Sequence, residues 1–217
     1  MNLPNPDIKF AKSKGVDLPI MTVYLAGRIA GECIDKCLEW RHKIVDYYAN
    51  YQGKGCYPIA FLDALNSKEA DSIDAKGLTS AIPPNLIYDK DILSVKKADV
   101  VVAMMDDYME VVIEDLLKIK FEEQEISEPK IGYKDAYFCL QERINNRRPN
   151  WGTDFEVAIA MYLGKPVILI AASERQKLML ERHPFMRRAS VIVGSVEELL
   201  EKKWLQILYK SISGAIY

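Results

Sequence analysis

The run Ala98-Asp99-Val100-Val101-Val102-Ala103-Met104-Met105 constrains the fold of this chain more than any other feature. Apolar residues without polar alternation belong to an element buried on both faces, and so short a run suits a strand. Residues 21–26 (MTVYLA), ending at Gly27, have the same character, as do residues 57–62, 165–172 (KPVILIAA) and 189–193 (ASVIV). Between these runs the apolar spacing changes to three and four residues, the period of a helix with one buried face. A first helix carries Ile34, Cys37, Leu38, Ile44, Val45 and Tyr48 on one side, and a second, over 89–97, turns Ile92 and Val95 inward. Further helices are predicted over 152–163 and 174–182, and a closing one over 196–211 presents Leu199, Leu200, Leu205 and Leu208. Inner strands separated by helices predict an α/β doubly wound sandwich, with a five-stranded parallel sheet covered on both sides. Ligands of such folds sit outside the carboxyl ends of the strands, which points to residues 27–31, 88–91, 106–107 and 150–156.

The rest of the chain is organised around that sheet. Residues 1–20 read as a lead-in without regular structure, and 21–217 as a single domain. Residues 64–84 form a polar stretch ending in Pro83-Pro84, read as a long loop. Residues 107–148 are charged and helical in two pieces broken near 127–132, which suits an insertion or an oligomer arm. With 29 Lys plus Arg against 31 Asp plus Glu, the net charge of −2 argues against a dedicated nucleic-acid partner. The longest apolar run, 166–172, is far short of the roughly 20 residues a membrane span needs. The first residues lack the apolar core of a secretory signal. Cys33, Cys37, Cys56 and Cys139 form no C-x-x-C pair, and His42 and His183 lie far apart. The expectation is a cytoplasmic protein with reduced thiols, no metal and no cofactor.

Three segments carry groups suited to chemistry. Thr153-x-x-Glu156 within Asn150-Trp151-Gly152-Thr153-Asp154-Phe155-Glu156 has the spacing of a capping box, in which both side chains satisfy free N–H groups of a helix start. The same spacing places Glu156 at a helix N-terminus facing the crevice, where the positive end of the helix dipole keeps a carboxylate ionised, as a nucleophile must be. Spacing does not separate these two readings. The turn Gly27-Arg28-Ile29-Ala30-Gly31 lacks the glycine pattern of a dinucleotide site, but its N–H groups and Arg28 can approach a sugar or phosphate. A solvent-facing arginine beside a turn glycine fits equally. In Tyr88-Asp89-Lys90-Asp91-Ile92, either Asp89 or Asp91 suits a helix cap. A capping aspartate is the commoner case, yet two carboxylates near a crevice that also holds Glu156 suit glycosyl transfer, where one group attacks the anomeric carbon and others move protons.

Together these segments resemble the nucleoside 2-deoxyribosyltransferase family and its nucleotide N-glycosidase relatives. Val23-Tyr24-Leu25-Ala26-Gly27 is similar to the family's opening strand and turn. Tyr88-Asp89-Lys90-Asp91-Ile92 followed by Ala98-Asp99-Val100-Val101-Val102-Ala103 resembles its second block, and Gly152-Thr153-Asp154-Phe155-Glu156 through Gly164-Lys165-Pro166-Val167 its third. The resemblance covers about 120 residues and implies a flavodoxin-like sandwich and a retaining mechanism. It makes Glu156 the nucleophile, Asp91 the carboxylate that handles sugar and base, and Tyr24 an aromatic lining the pocket. Gly27, Arg28, Asp89, Asn150, Gly152 and Thr153 then fall around the substrate. It also implies a homo-oligomer, a dimer or larger, in which a tail such as Gly214-Ala215-Ile216-Tyr217 reaches a neighbouring pocket.

The chain departs from the family's pattern at two places. Asn150 stands where many members have an aspartate that protonates the base. Arg28 and the Gly27-x-x-x-Gly31 turn look more like the hydrolase branch, where this region binds a 5′-phosphate. The leading expectation from the resemblance is base exchange on 2-deoxynucleosides through a glycosyl–Glu156 intermediate. Hydrolysis of nucleoside 5′-monophosphates at the same bond is the alternative. A nucleotide-binding module without catalysis is the third possibility, since fold alone does not define function.

Overall fold

The structure, a computed structural model, describes residues 10–13, 16–27, 34–51, 58–63, 84–105 and 151–213. The chain divides into two compact units, Met1–Met105 with Gly152–Tyr217 and Asp106–Trp151. All elements described here belong to the first unit, Trp151 at the head of one helix excepted. The readings of residues 64–83 as a loop and of 107–148 as a helical insertion lie outside the described residues, as do residues 214–217.

Five strands form one parallel sheet: β3 (Met21–Gly27), β4 (Ile59–Asp63), β5 (Val100–Met104), β6 (Val167–Ile170) and β7 (Val191–Val193), in the order β4-β3-β5-β6-β7. This is the flavodoxin-like order, and the chain reverses its direction of travel across the sheet between β3 and β5. The stretch read as a lead-in carries its own antiparallel pair, β1 (Phe10–Ser13) and β2 (Val16–Pro19), with Phe10 opposite Pro19. The helices are α1 (Ile34–Tyr51), α2 (Pro84–Lys97), α3 (Trp151–Tyr162), α4 (Glu174–Arg182), α5 (Val196–Glu201) and α6 (Trp204–Ser213).

Both faces of the sheet are covered, which is why its strands show no polar alternation. Val23, Leu25, Val100, Val102, Ile168 and Ile170 pack with Ile44 of α1, Leu199 of α5 and Leu205 of α6. The alternate residues Tyr24, Ala26, Val101, Ala103 and Leu169 pack with Val95 of α2, Val157 and Ala160 of α3 and Leu180 of α4. Each large apolar side chain so buried stabilises the fold by roughly 1.5–3 kcal/mol.

Two residues of the sequence blocks serve this frame. The Thr22 N–H donates to Asp99 Oδ2 at 2.7 Å while the Asp99 N–H donates to the Thr22 carbonyl at 2.7 Å, locking β3 to the start of β5. Lys165 donates to the carbonyls of Lys96 (2.8 Å) and Ala98, tying β6 to the end of α2. Gly164, at φ +69, closes α3: its N–H bonds the Met161 carbonyl and the Lys165 N–H the Ala160 carbonyl, a glycine stop with satisfied carbonyls.

Two boundaries differ from expectation. Helix α2 begins at Pro84, a residue suited to a first helical position, so Asp89 and Asp91 are interior and neither caps the helix. The closing helix is two helices, α5 and α6, because Lys203 adopts φ 54, a left-handed conformation that no α-helix continues through.

Gly27, the last residue of β3, has a packing role. A Cβ there would lie 2.8 Å from Trp40 Cζ2 and 3.2 Å from Arg41 Nη2, so α1 presses against the bare backbone. Gly27→Ala is expected to cost about 1–3 kcal/mol, read as a lower urea midpoint. An unchanged midpoint would mean that α1 yields freely at this contact.

Candidate active site

Three of the residues named from sequence meet beside β3. Tyr24 stands in the middle of that strand, fully buried on the face covered by α2 and α3. Its hydroxyl donates to Glu156 Oε1 at 2.8 Å. Asp91, on α2, lies close enough for its carboxylate to act on both Tyr24 and Glu156. Lys90 Nζ sits 3.7 Å from Asp91 Oδ1. The site thus spans α2, β3 and α3, next to the point where strand order reverses.

Glu156 is five residues beyond Trp151, the first residue of α3. Thr153 is therefore inside the helix, buried at 2% exposure, and cannot be its N-cap, so the capping-box reading does not hold. The expectation that the helix dipole keeps Glu156 ionised fails as well. The dipole's influence fades within the first turn, and Glu156, 8% exposed, lies in the second. Burial pushes its carboxyl up to about 8 from an ordinary 4.5, and the charge of Asp91 adds to the rise. The hydrogen bond from Tyr24 and the positive charges of Arg41 and Lys90 oppose it. At neutral pH the group is mostly a carboxylic acid in contact with a phenol. Burial, then the charges of Glu156 and Asp91, drive the Tyr24 hydroxyl far above its ordinary value, so it remains a donor throughout the working pH range.

Asp89 is exposed on α2. Gly152 is exposed, with no atom within 4 Å of where a Cβ would stand. Gly27 is occupied with packing against α1, and Arg28 and Asn150 lie outside the described residues. Two open clefts occur elsewhere. One, about 640 Å³, lies beside Lys165, Tyr162 and Phe185, and the other, about 370 Å³, beside Trp40, Met104 and Ser195. Neither includes Tyr24, Asp91 or Glu156, and the convergence of ionisable groups marks the candidate site. Among the described residues no three His, Cys, Asp or Glu side chains converge as metal ligands, and no helix is long and apolar enough to cross a membrane.

Sequence reasoning overlooked Arg41. It lies on α1, wholly buried, with Nε 3.0 Å from Asp63 Oδ1 and Nη2 donating to the Gly27 carbonyl at 3.1 Å. A signal was present: Arg41 follows Cys37 by four residues and precedes Ile44 by three, in register with the apolar face of the helix.

Fold and site together define an α/β sandwich with a buried glutamate, hydrogen-bonded to a tyrosine of an inner strand, beside its switch point. No family model matches the sequence, and no curated protein matches it. Among solved structures the chain is similar to a CMP N-glycosidase of Clostridium botulinum, BcmB, at 13% identity over 85% of this chain and 98% of that one, with a TM-score of 0.42. It is also similar to a conserved protein from Enterococcus faecalis V583, at 16% identity over 86% of this chain and 98% of that one, with a TM-score of 0.43. At such values neither likeness bears on activity.

Proposed function

We propose that the protein cleaves the N-glycosidic bond of a nucleoside or nucleotide, with Glu156 as the attacking group. The observation that carries this reading is a buried carboxyl group held by the Tyr24 hydroxyl at 2.8 Å, with a second carboxylate, Asp91, beside it. Cleavage of this bond develops positive charge on the anomeric carbon, and a carboxylate in a water-poor site stabilises such charge far better than one in water. Glu156, once deprotonated, forms a bond to the anomeric carbon. The carbon–nitrogen bond breaks, and its electron pair leaves with the base, which takes up a proton from solvent in place of the one Glu156 released to it. Tyr24 donates to the Glu156 oxygen throughout and fixes the carboxyl plane, while Asp91 faces the substrate's polar groups. In the second step an acceptor attacks the same carbon and Glu156 is released, so configuration is retained overall.

The acceptor distinguishes transfer from hydrolysis. A second base gives base exchange between 2-deoxynucleosides, and water gives free sugar or sugar phosphate. Chromatography of wild-type reactions with 2-deoxynucleosides and their 5′-monophosphates, with and without a second base, decides between them. Release of a free base is expected, together with a covalent adduct on the Glu156 peptide when a 2-fluoro sugar slows the second step. No base release from any of these substrates, and no adduct, would sink the proposal.

A further inference from the structure

Arginine is seldom buried completely, because removing its charge from water is costly unless its hydrogen bonds are met. Arg41 is 0% exposed, and its contacts gather at one place. Its guanidinium donates to the carbonyl of Gly27, which ends β3, and to that of Cys37, one turn earlier on α1. It lies 3.0 Å from Asp63, the last residue of β4, and its carbon sits 4.5 Å from the centre of the Trp40 ring. A merely solvated charge would not tie two adjacent strand ends to the helix between them. Those ends form the carboxyl edge of the sheet beside the switch point, and β3 is the strand that supplies Tyr24.

We propose that Arg41 is a positioning residue for the Glu156 site: its planar fork fixes the carboxyl end of β3, the strand that carries Tyr24, against β4 and α1. Its positive charge also opposes the rise that burial imposes on the Glu156 carboxyl. A lysine could supply the charge but not the fork, since it is a single point donor. Among the described residues, the charged and titratable groups acting on Glu156 are Tyr24 from β3, Asp91 and Lys90 from α2, and Arg41 from α1. Asp91 raises the carboxyl's pKa, whereas Arg41, Lys90 and the Tyr24 hydrogen bond lower it. Loss of the Arg41 charge therefore moves the titration of Glu156 to higher pH.

This inference rests on the reading of Glu156 as the reacting carboxylate, and its test separates the two. Arg41→Met and Arg41→Lys are compared with wild type by pH–rate profile and by 13C NMR titration of the Glu156 carboxyl carbon, assigned through Glu156→Gln. Arg41→Met is expected to shift both the NMR titration and the rising limb of kcat/KM to higher pH. It lowers kcat about 10- to 100-fold with KM little changed, the usual consequence of a small misplacement of reacting groups. Arg41→Lys keeps the titration near that of wild type while still losing about 10-fold in kcat. If Arg41→Met does not fold, Arg41→Lys decides alone: full kcat with an unchanged profile overturns the proposal. So does a folded Arg41→Met whose Glu156 titrates as in wild type. Activity that survives in Glu156→Gln would instead overturn the parent reading, whatever Arg41 does.

Discussion

Glu156→Gln is expected to lower N-glycosidic cleavage by on the order of 10⁴-fold, the scale on which removal of a covalent nucleophile is felt. The substitution keeps the side chain's shape and still accepts the Tyr24 hydrogen bond, so the loss reports chemistry rather than packing. An amide forms no glycosyl ester, and the adduct on the Glu156 peptide disappears with the turnover. Glu156→Ala is expected to lose as much. The wild-type profile carries the complementary signature. Because burial and Asp91 hold the carboxyl near 8, kcat/KM rises with pH and levels off above that value, as the attacking anion becomes the dominant form. Steady-state rates from pH 6 to 9.5 measure it. Full activity in Glu156→Gln would remove Glu156 from the mechanism. A wild type that binds nucleotide tightly but never turns over would show a binding module instead.

The sheet was legible in the sequence because burial on both faces is written directly into composition. Val100–Met104 and Val167–Ile170 could be nothing but inner strands, and the order of strands and helices then left few topologies. Helix α4 was legible to the residue, since Ser173 caps its first turn, accepting from the Gln176 N–H at 3.2 Å. Where chain punctuation was ambiguous, the reading failed. Pro83-Pro84 looked like the end of a loop although Pro84 opens a helix, and nothing about Lys203 announces a left-handed residue between α5 and α6.

The site divides along the same line. Tyr24, Asp91 and Glu156 could be named through the resemblance to a family pattern, because spacing alone left Glu156 between cap and nucleophile and did not choose between Asp89 and Asp91. The protonation of Glu156 could not, because it depends on cover from β3 and on the charge of Asp91, two elements distant in sequence. Arg41 was overlooked for a related reason. A charged residue in mid-helix reads as solvent-facing until Asp63 and the Gly27 carbonyl are brought to it by the sheet.

The same buried proton leads to a second large effect, on stability. A carboxyl group held near 8 in the folded protein and near 4.5 in the unfolded chain takes up a proton on folding at neutral pH. Between those two values the folded state binds the proton that the unfolded state has lost, so stability falls as pH rises; above 8 both states are ionised and the loss is complete. Ionising Glu156 inside the fold costs on the order of 2–4 kcal/mol. Glu156→Gln does not bear this cost. Its melting temperature is expected to exceed that of wild type by about 5–10 °C at pH 8.5, for a chain of this size, and to match it within about 2 °C at pH 5. Paired thermal melts at the two pH values test this, and the other titrating groups cancel in the comparison. A variant equally shifted at both values would show that packing rather than charge is at work. A variant never more stable than wild type would show that the carboxylate is at ease in the site, and the alkaline rise in kcat/KM would then lose its cause. Inactive yet more stable is thus the combined outcome expected of this one substitution, because the group placed to attack the substrate is also the one the fold holds at a cost.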